Sequence, residues 1–180
     1  MIIPVVRRRQ NHRIDKSGRP RVRPEMTPAD WLLEGMAIIG LLAFAGYVIY
    51  QYRRLPAVIP SHFNAAGMPD DYSGKSTILA LPGSALFVYL LLTLIAMVPH
   101  QFNFSVKITP ENALKQYTMA IRLIRFLKLA IILIFFYITV AIAGQASGSG
   151  AGLGQWFMPV SLGAVFIPLI YYLVYARRYR

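Results

Sequence analysis

The sequence contains no cysteine. Disulfides, thiolate metal sites and cysteine nucleophiles are thereby excluded. Acid is scarce too: seven Asp and Glu stand against nineteen Lys and Arg in 180 residues, a formal net charge of +12. Charge of either sign makes up only 14% of the chain, whereas 56% is hydrophobic. That is too apolar for an ordinary soluble domain of this size. A cleavable leader is not expected, because the opening "MIIPVV" is too short for an apolar core and "RRR" follows at once. A basic chain can mean nucleic-acid binding, but the apolar runs here are too long for that. No nucleic-acid partner is expected.

Four apolar runs are present, at Trp31–Tyr52, Thr77–Val98, Phe126–Gly144 and Trp156–Ala176. Each is close to the ~20 residues that a helix needs to cross a bilayer. Trp31, Tyr50, Tyr52, Trp156, Tyr175 and Tyr179 fall at the run ends, where aromatic belts lie. Lys128, near the start of the third run, is expected to snorkel to the interface. Glu34 is expected near the aqueous boundary; the sharper reading pairs it with Lys128 or Arg125 inside the bundle. Pro168 predicts a kink in the fourth run. Gly40, Ala43, Gly46 and Gly163 are candidates for close helix contacts.

Orientation follows from the basic residues. Fifteen of the nineteen lie before the first run, between the second and third, or after the fourth, and Lys128 lies at the edge of the third. Arg53, Arg54 and Lys75 are the exceptions. The positive-inside rule then places both termini in the cytoplasm. The fold class expected is an all-α membrane protein with four transmembrane helices, a structured extracytoplasmic loop between the first two, and residence in the inner (plasma) membrane. Residues 1–26 are basic and lack apolar period; they read as a disordered cytoplasmic arm that touches anionic lipid. Residues 27–180 form the transmembrane domain.

"TPAD" at Thr27–Asp30 and "TPEN" at Thr109–Asn112 share a helix-start signature: threonine at the N-cap, proline next, an acid in the first turn. A helix from Pro110 to about Gly144 would be roughly 50 Å long, longer than a bilayer core of about 30 Å. Its start, "ENALKQYTMAIRLIRF", reads as a basic amphipathic stretch with Ala113, Leu114, Tyr117, Ile121 and Ile124 on its apolar side. Docking at the membrane interface is the default reading, and a protein-binding platform the sharper one. The glycine-rich connection "QASGSGAGLGQ" lacks the lysine and hydroxyl of a phosphate loop and reads as a flexible linker.

The connection between the first two runs is the most specific stretch of the chain. "LPAVIPSHFNAAGMPDDYSGK" spans Leu55–Lys75 and holds three prolines, two adjacent aspartates and a histidine. It has no strand or helix period of useful length. Unstructured loops longer than about 12–15 residues tend to be functional or disordered. Leu55, Val58, Ile59, Phe63, Met68 and Tyr72 argue for packing, while "NAAG" and "PDD" supply turn chemistry with Gly67 free to take positive φ.

This stretch resembles the signature of the membrane family called domain of unknown function 1648, a domain also found in SdpI-type toxin-immunity membrane proteins. The residues that carry the resemblance are Leu55, Pro56, Pro60, Ser61, His62, Phe63, Asn64, Gly67, Asp70 or Asp71, Tyr72 and Lys75. It runs from the end of the first span to the middle of the second. A role in sensing or immunity is what the resemblance implies, although SdpI-type proteins are longer.

Three readings of the loop compete. In the first, its polar residues are engaged by their own backbone, which is the usual fate of such groups in turns. They can instead form an outward-facing site for a peptide, a lipid headgroup or another envelope component, with an envelope peptide or protein as the expected partner and Pro60, His62, Asn64, Gly67, Asp70, Asp71 and Lys75 as candidate ligand-binding residues. The third reading is metal or acid–base chemistry. A His-x-Asn spacing is not a recognised ligand pair, and no nucleophile–base arrangement is legible. No metal, cofactor or catalytic residue is therefore expected, and the reading is against an enzyme. Histidine ordinarily titrates near neutral pH, which makes His62 a candidate sensor of external acidity. The alternative function is an accessory or scaffold subunit of a larger membrane complex, docking through the basic start of the third helix.

Overall fold

The computed structural model describes residues 14, 15 and 18–179. Most of the basic arm, including Arg7, Arg8, Arg9, Arg13 and Lys16, lies outside the described residues. The described chain is mostly helical: α1 (Pro28–Tyr52), α2 (Ala80–Ala96), α3 (Ala113–Ala146) and α4 (Phe157–Ala176). A β-hairpin, β1 (Val58–Phe63) and β2 (Pro69–Gly74), joins α1 to α2 through a short 3-10 turn at Lys75–Leu79. All four helices, α2 together with that turn and α4 with the 3-10 turn after it, are long and apolar enough to cross a membrane. The chain runs up and down. One end gathers the stretch Gly18–Met26, the α2–α3 linker and the 3-10 turn after α4; we call it the terminal end. The other gathers the hairpin and the α3–α4 connection; it is the hairpin end.

The first helix starts where its sequence signature places it. Thr27 Oγ1 accepts from the Asp30 N–H, and Asp30 Oδ2 accepts from the Thr27 N–H at 2.9 Å, a reciprocal capping box. The second such signature behaves differently. Thr109–Asn112 forms a turn, and α3 begins at Ala113. There Asn112 Oδ1 accepts from the Thr109 N–H at 2.9 Å, so the asparagine rather than the threonine closes the turn. At 34 residues α3 is about 50 Å long.

α3 is the central helix, packing against α1, α2 and α4. The main core joins Ala37, Phe44 and Val48 of α1, Ile59 of the hairpin, Ala85 of α2 and Ile132 of α3. Phe44 stacks on Phe136 at 5.2 Å. Gly40 lets α1 approach: a Cβ there would lie 3.3 Å from Ile132 Cγ2. Gly46 faces open space and a Cβ at Gly163 would meet only its own helix, so these two do not serve helix contact. α4 gives no residue to this core. It rests on α3 through Tyr137, which stacks on Phe157 at 5.5 Å. α4 runs unbroken across Pro168.

The start of α3 packs on its own chain rather than on the interface. Ala113, Tyr117 and Ile121 are buried, while Leu114 is exposed. Tyr117 donates to the Pro20 carbonyl at 3.1 Å, and Arg19 donates to the carbonyls of His100 and Phe102. The stretch Gly18–Met26 falls within the arm expected to be disordered, and here it makes defined contacts because Val22 and Pro20 cover the Tyr117 cluster.

Two loops differ from expectation. The first connection is a hairpin, with Val58 opposite Gly74, Pro60 opposite Tyr72 and Phe63 opposite Pro69, irregular around His62. Proline is tolerated because both strands are edges. The glycine-rich connection is docked, not a free linker. Leu153 N–H donates to the Gly67 carbonyl at 2.8 Å. Gly67 has φ +76°, and a Cβ on it would lie 2.8 Å from Gly154 N. Gly67→Ala should therefore cost about 1–3 kcal/mol, combining left-handed strain with backbone collision. Gly148→Ala, also at φ +76° but open to space, should cost about 1 kcal/mol. Denaturant midpoints of both variants in mild detergent check this; equal losses would mean that the docked seam adds nothing.

Candidate functional site

Two clusters of polar residues stand out, one at each end of the bundle. The hairpin cluster holds the sequence-predicted residues. Their geometry separates those that build the loop from those that remain available. Asn64 Oδ1 accepts from the N–H groups of Ala66 and Met68 at 3.0 and 3.1 Å, and Gly67 N–H donates to the Asn64 carbonyl. Asn64 and Gly67 thus make the turn. Pro60 is fully buried. Asp71 Oδ1 accepts from the Tyr72 N–H at 2.8 Å. Lys75 Nζ reaches the Tyr52 carbonyl at 3.4 Å and lies 5.0 Å from the Tyr52 ring, placing a cation at the C-terminus of α1. Five of the seven candidates therefore have structural engagements.

His62 and Asp70 form the remaining pair. His62 Nδ1 donates to Asp70 Oδ1 at 2.6 Å, across the two strands. Both side chains are exposed, so the pair contributes little to stability, about 0–1 kcal/mol. This bond leaves His62 Nε2 free to meet another group. His62 also lines a cleft of about 490 Å³. Phe63 and Ala65 of the hairpin, Leu81 of α2, Ile142 of α3 and Met158 of α4 form its other walls. The cleft is lined largely by apolar side chains with few polar groups, the usual make-up of a small-ligand site. Sequence inspection missed the walls from α2, α3 and α4, since no local motif marks residues that meet only through tertiary packing.

The second cluster lies near the terminal end, on α1, α2 and α3. Lys128 is only 2% exposed. Its Nζ donates to Glu34 Oε1 at 2.5 Å and to Thr93 Oγ1 at 2.9 Å, and sits 4.4 Å from the Tyr89 ring. Tyr89 in turn donates to Glu34 Oε1 at 2.8 Å. Arg125 bridges Asp30 and Glu34, at 3.2 and 3.7 Å. Arg122 Nε donates to Asp30 Oδ1 at 3.0 Å. Lys128 therefore does not snorkel, and Glu34 makes the pairing inside the bundle that its sharper reading expects: each offers the other a partner that replaces water. The signal was present in the sequence. Asp30 and Glu34 are four apart on α1, and Arg122, Arg125 and Lys128 are spaced by three on α3, so each set shares a helix face.

The four apolar helices make this a multi-pass membrane protein. Residues 38–86 match the family model described as Domain of unknown function (DUF1648). The match runs from α1 through the hairpin into the first turns of α2, and all seven candidate loop residues fall inside it. Comparison with curated proteins and with solved structures gave no significant match.

The buried network generates a direct test. Glu34→Ala leaves Lys128 buried without its main counter-charge, and should destabilise the bundle by about 3–5 kcal/mol. Replacing both partners, as Glu34→Leu with Lys128→Met, should recover most of that loss. Unfolding in mild detergent measures both; a single variant as stable as the parent would refute the network's structural role.

Proposed function

We propose that this protein is a non-enzymatic sensing or immunity-type module of the inner (plasma) membrane. On this reading, the Leu55–Lys75 hairpin is its outward-facing recognition surface. The observation that carries the reading is the cleft of about 490 Å³ beneath the hairpin, with His62 at its edge and Asp70 holding the imidazole. The partner is an envelope peptide or protein. Its apolar side chain enters the cleft, and a polar group meets His62 Nε2.

Sidedness rests on charge. Sixteen of nineteen basic residues fall in the N-terminal arm, the α2–α3 linker, the first half of α3 or the chain after α4, which the positive-inside rule assigns to the cytoplasm. Two of the three exceptions are engaged: Arg54 Nη1 donates to the Tyr50 carbonyl, and Lys75 to that of Tyr52. The basic arm on this orientation faces anionic lipid of the cytoplasmic leaflet. The alternative, a scaffold docking through the basic start of α3, finds less support. Arg122 and Arg125 are paired with Asp30, Lys115 sits over the Tyr179 ring, and Tyr117 is buried.

The test uses the purified full chain with an environment-sensitive dye on a single cysteine introduced at Ser61. Fractions of secreted peptides from concentrated culture medium are titrated against it. A saturable emission shift is expected. Ala65→Trp or Met158→Trp, each filling the cleft, should abolish it, and His62→Gln should weaken it about tenfold. No shift with any fraction, or a shift that survives both filled clefts, would count against the reading.

A further inference from the structure

At the terminal end, a second cleft of about 640 Å³ is lined by Ser105, Val106, Lys107, Thr109 and Arg177. Two cations face it from different parts of the chain. Lys107 lies on the linker between α2 and α3, and Arg177 directly follows α4. Both backbones are pinned from within. Asn112 Nδ2 donates to the Lys107 carbonyl at 3.0 Å, and buried Ile108 anchors the same segment. Gln116 Nε2 donates to the carbonyls of Ala176 and Tyr179, which bracket Arg177, at 2.8 and 3.0 Å.

Five other cations of this end are already engaged. Arg19 holds linker carbonyls, Lys115 lies 3.0 Å from the Tyr179 ring, and Arg122, Arg125 and Lys128 pair with acids. The side chains of Lys107 and Arg177 make no ion pair or hydrogen bond among the described residues. The nearest acid along the linker is Glu111, two residues after Thr109 in the turn before α3. The lining itself carries two positive charges and no acid.

We propose that this cleft binds the headgroup of an anionic phospholipid, its phosphate held between Lys107 and Arg177 with the Ser105 hydroxyl as a further donor. A basic pocket at the ends of membrane-spanning helices has the charge and the position for such a headgroup. The helix below favours a lipid over a free phosphate. Val174 and Ile170 lie three and seven residues before Arg177, on the same helix face, and are 60% and 57% exposed. Acyl chains can continue from the bound headgroup along this face. The site is at the opposite end from the hairpin and does not depend on its function.

Native mass spectrometry of the full chain from mild detergent tests this, with phosphatidylglycerol, phosphatidylcholine and inorganic phosphate as probes. Phosphatidylglycerol should be retained about tenfold better than phosphatidylcholine. The variant Lys107→Gln with Arg177→Gln should lose that preference. Arg21→Gln with Arg23→Gln removes the same charge from the arm and should keep it. Glu111→Gln should strengthen retention. Equal retention of the two lipids, a preference that survives loss of Lys107 and Arg177, or no gain from Glu111→Gln would overturn the proposal. Displacement of phosphatidylglycerol by millimolar inorganic phosphate would make the cleft a free-anion site and overturn the lipid assignment.

Discussion

The fold depends on the contact between Lys128 and Glu34. An ammonium that is 2% exposed, within an apolar helix, must find its counter-charge inside the protein. Glu34 supplies it from α1, while Thr93 and Tyr89 complete the shell from α2. Three helices are thereby fixed at one depth. Arg125 and Arg122 extend the network to Asp30, whose carboxylate also caps α1 through Thr27. The register of α1 against α3 is set twice, by charge near the terminal end and by the Gly40–Ile132 approach and Phe44–Phe136 stack further along.

That register positions the hairpin. With α1 and α2 held on α3, β1 and β2 lie over the helix ends, and Ile59 enters the common core. The seam between Gly67 and Leu153–Gly154 then ties the hairpin to the α3–α4 connection. Close backbone approach needs glycine on both sides of the seam. The cleft beneath the hairpin is what remains between this seam and the three helices. Its walls are consequences of packing decided elsewhere in the molecule.

Much of this was legible in the sequence, and the rest fails for physical reasons. Spans were readable because a bilayer demands about 20 apolar residues whatever the tertiary structure. The Thr27 cap was readable because its chemistry is local. The hairpin was hidden because Pro60 and Pro69 break the strand alternation and Asn64 and Gly67 read only as turn chemistry. Lys128 was misplaced because its position near a span end fits snorkelling as well as pairing. Only the shared faces of Asp30 with Glu34, and of Arg122, Arg125 and Lys128, decide between the two. Of the loop residues, the sequence marked His62 and Asp70 but could not separate them from Asn64, Gly67 and Lys75, whose roles are set by the backbone groups they meet.

The central claim is that the hairpin faces outward, on the side where an envelope partner can reach the cleft. The absence of native cysteine makes the decisive measurement simple. A single cysteine at Ser61, an exposed residue of β1, is treated in intact cells with a membrane-impermeant thiol reagent, alongside lysed cells. The account predicts full labelling in intact cells. Labelling only after lysis would place the hairpin in the cytoplasm and contradict both the charge argument and the recognition role built on it.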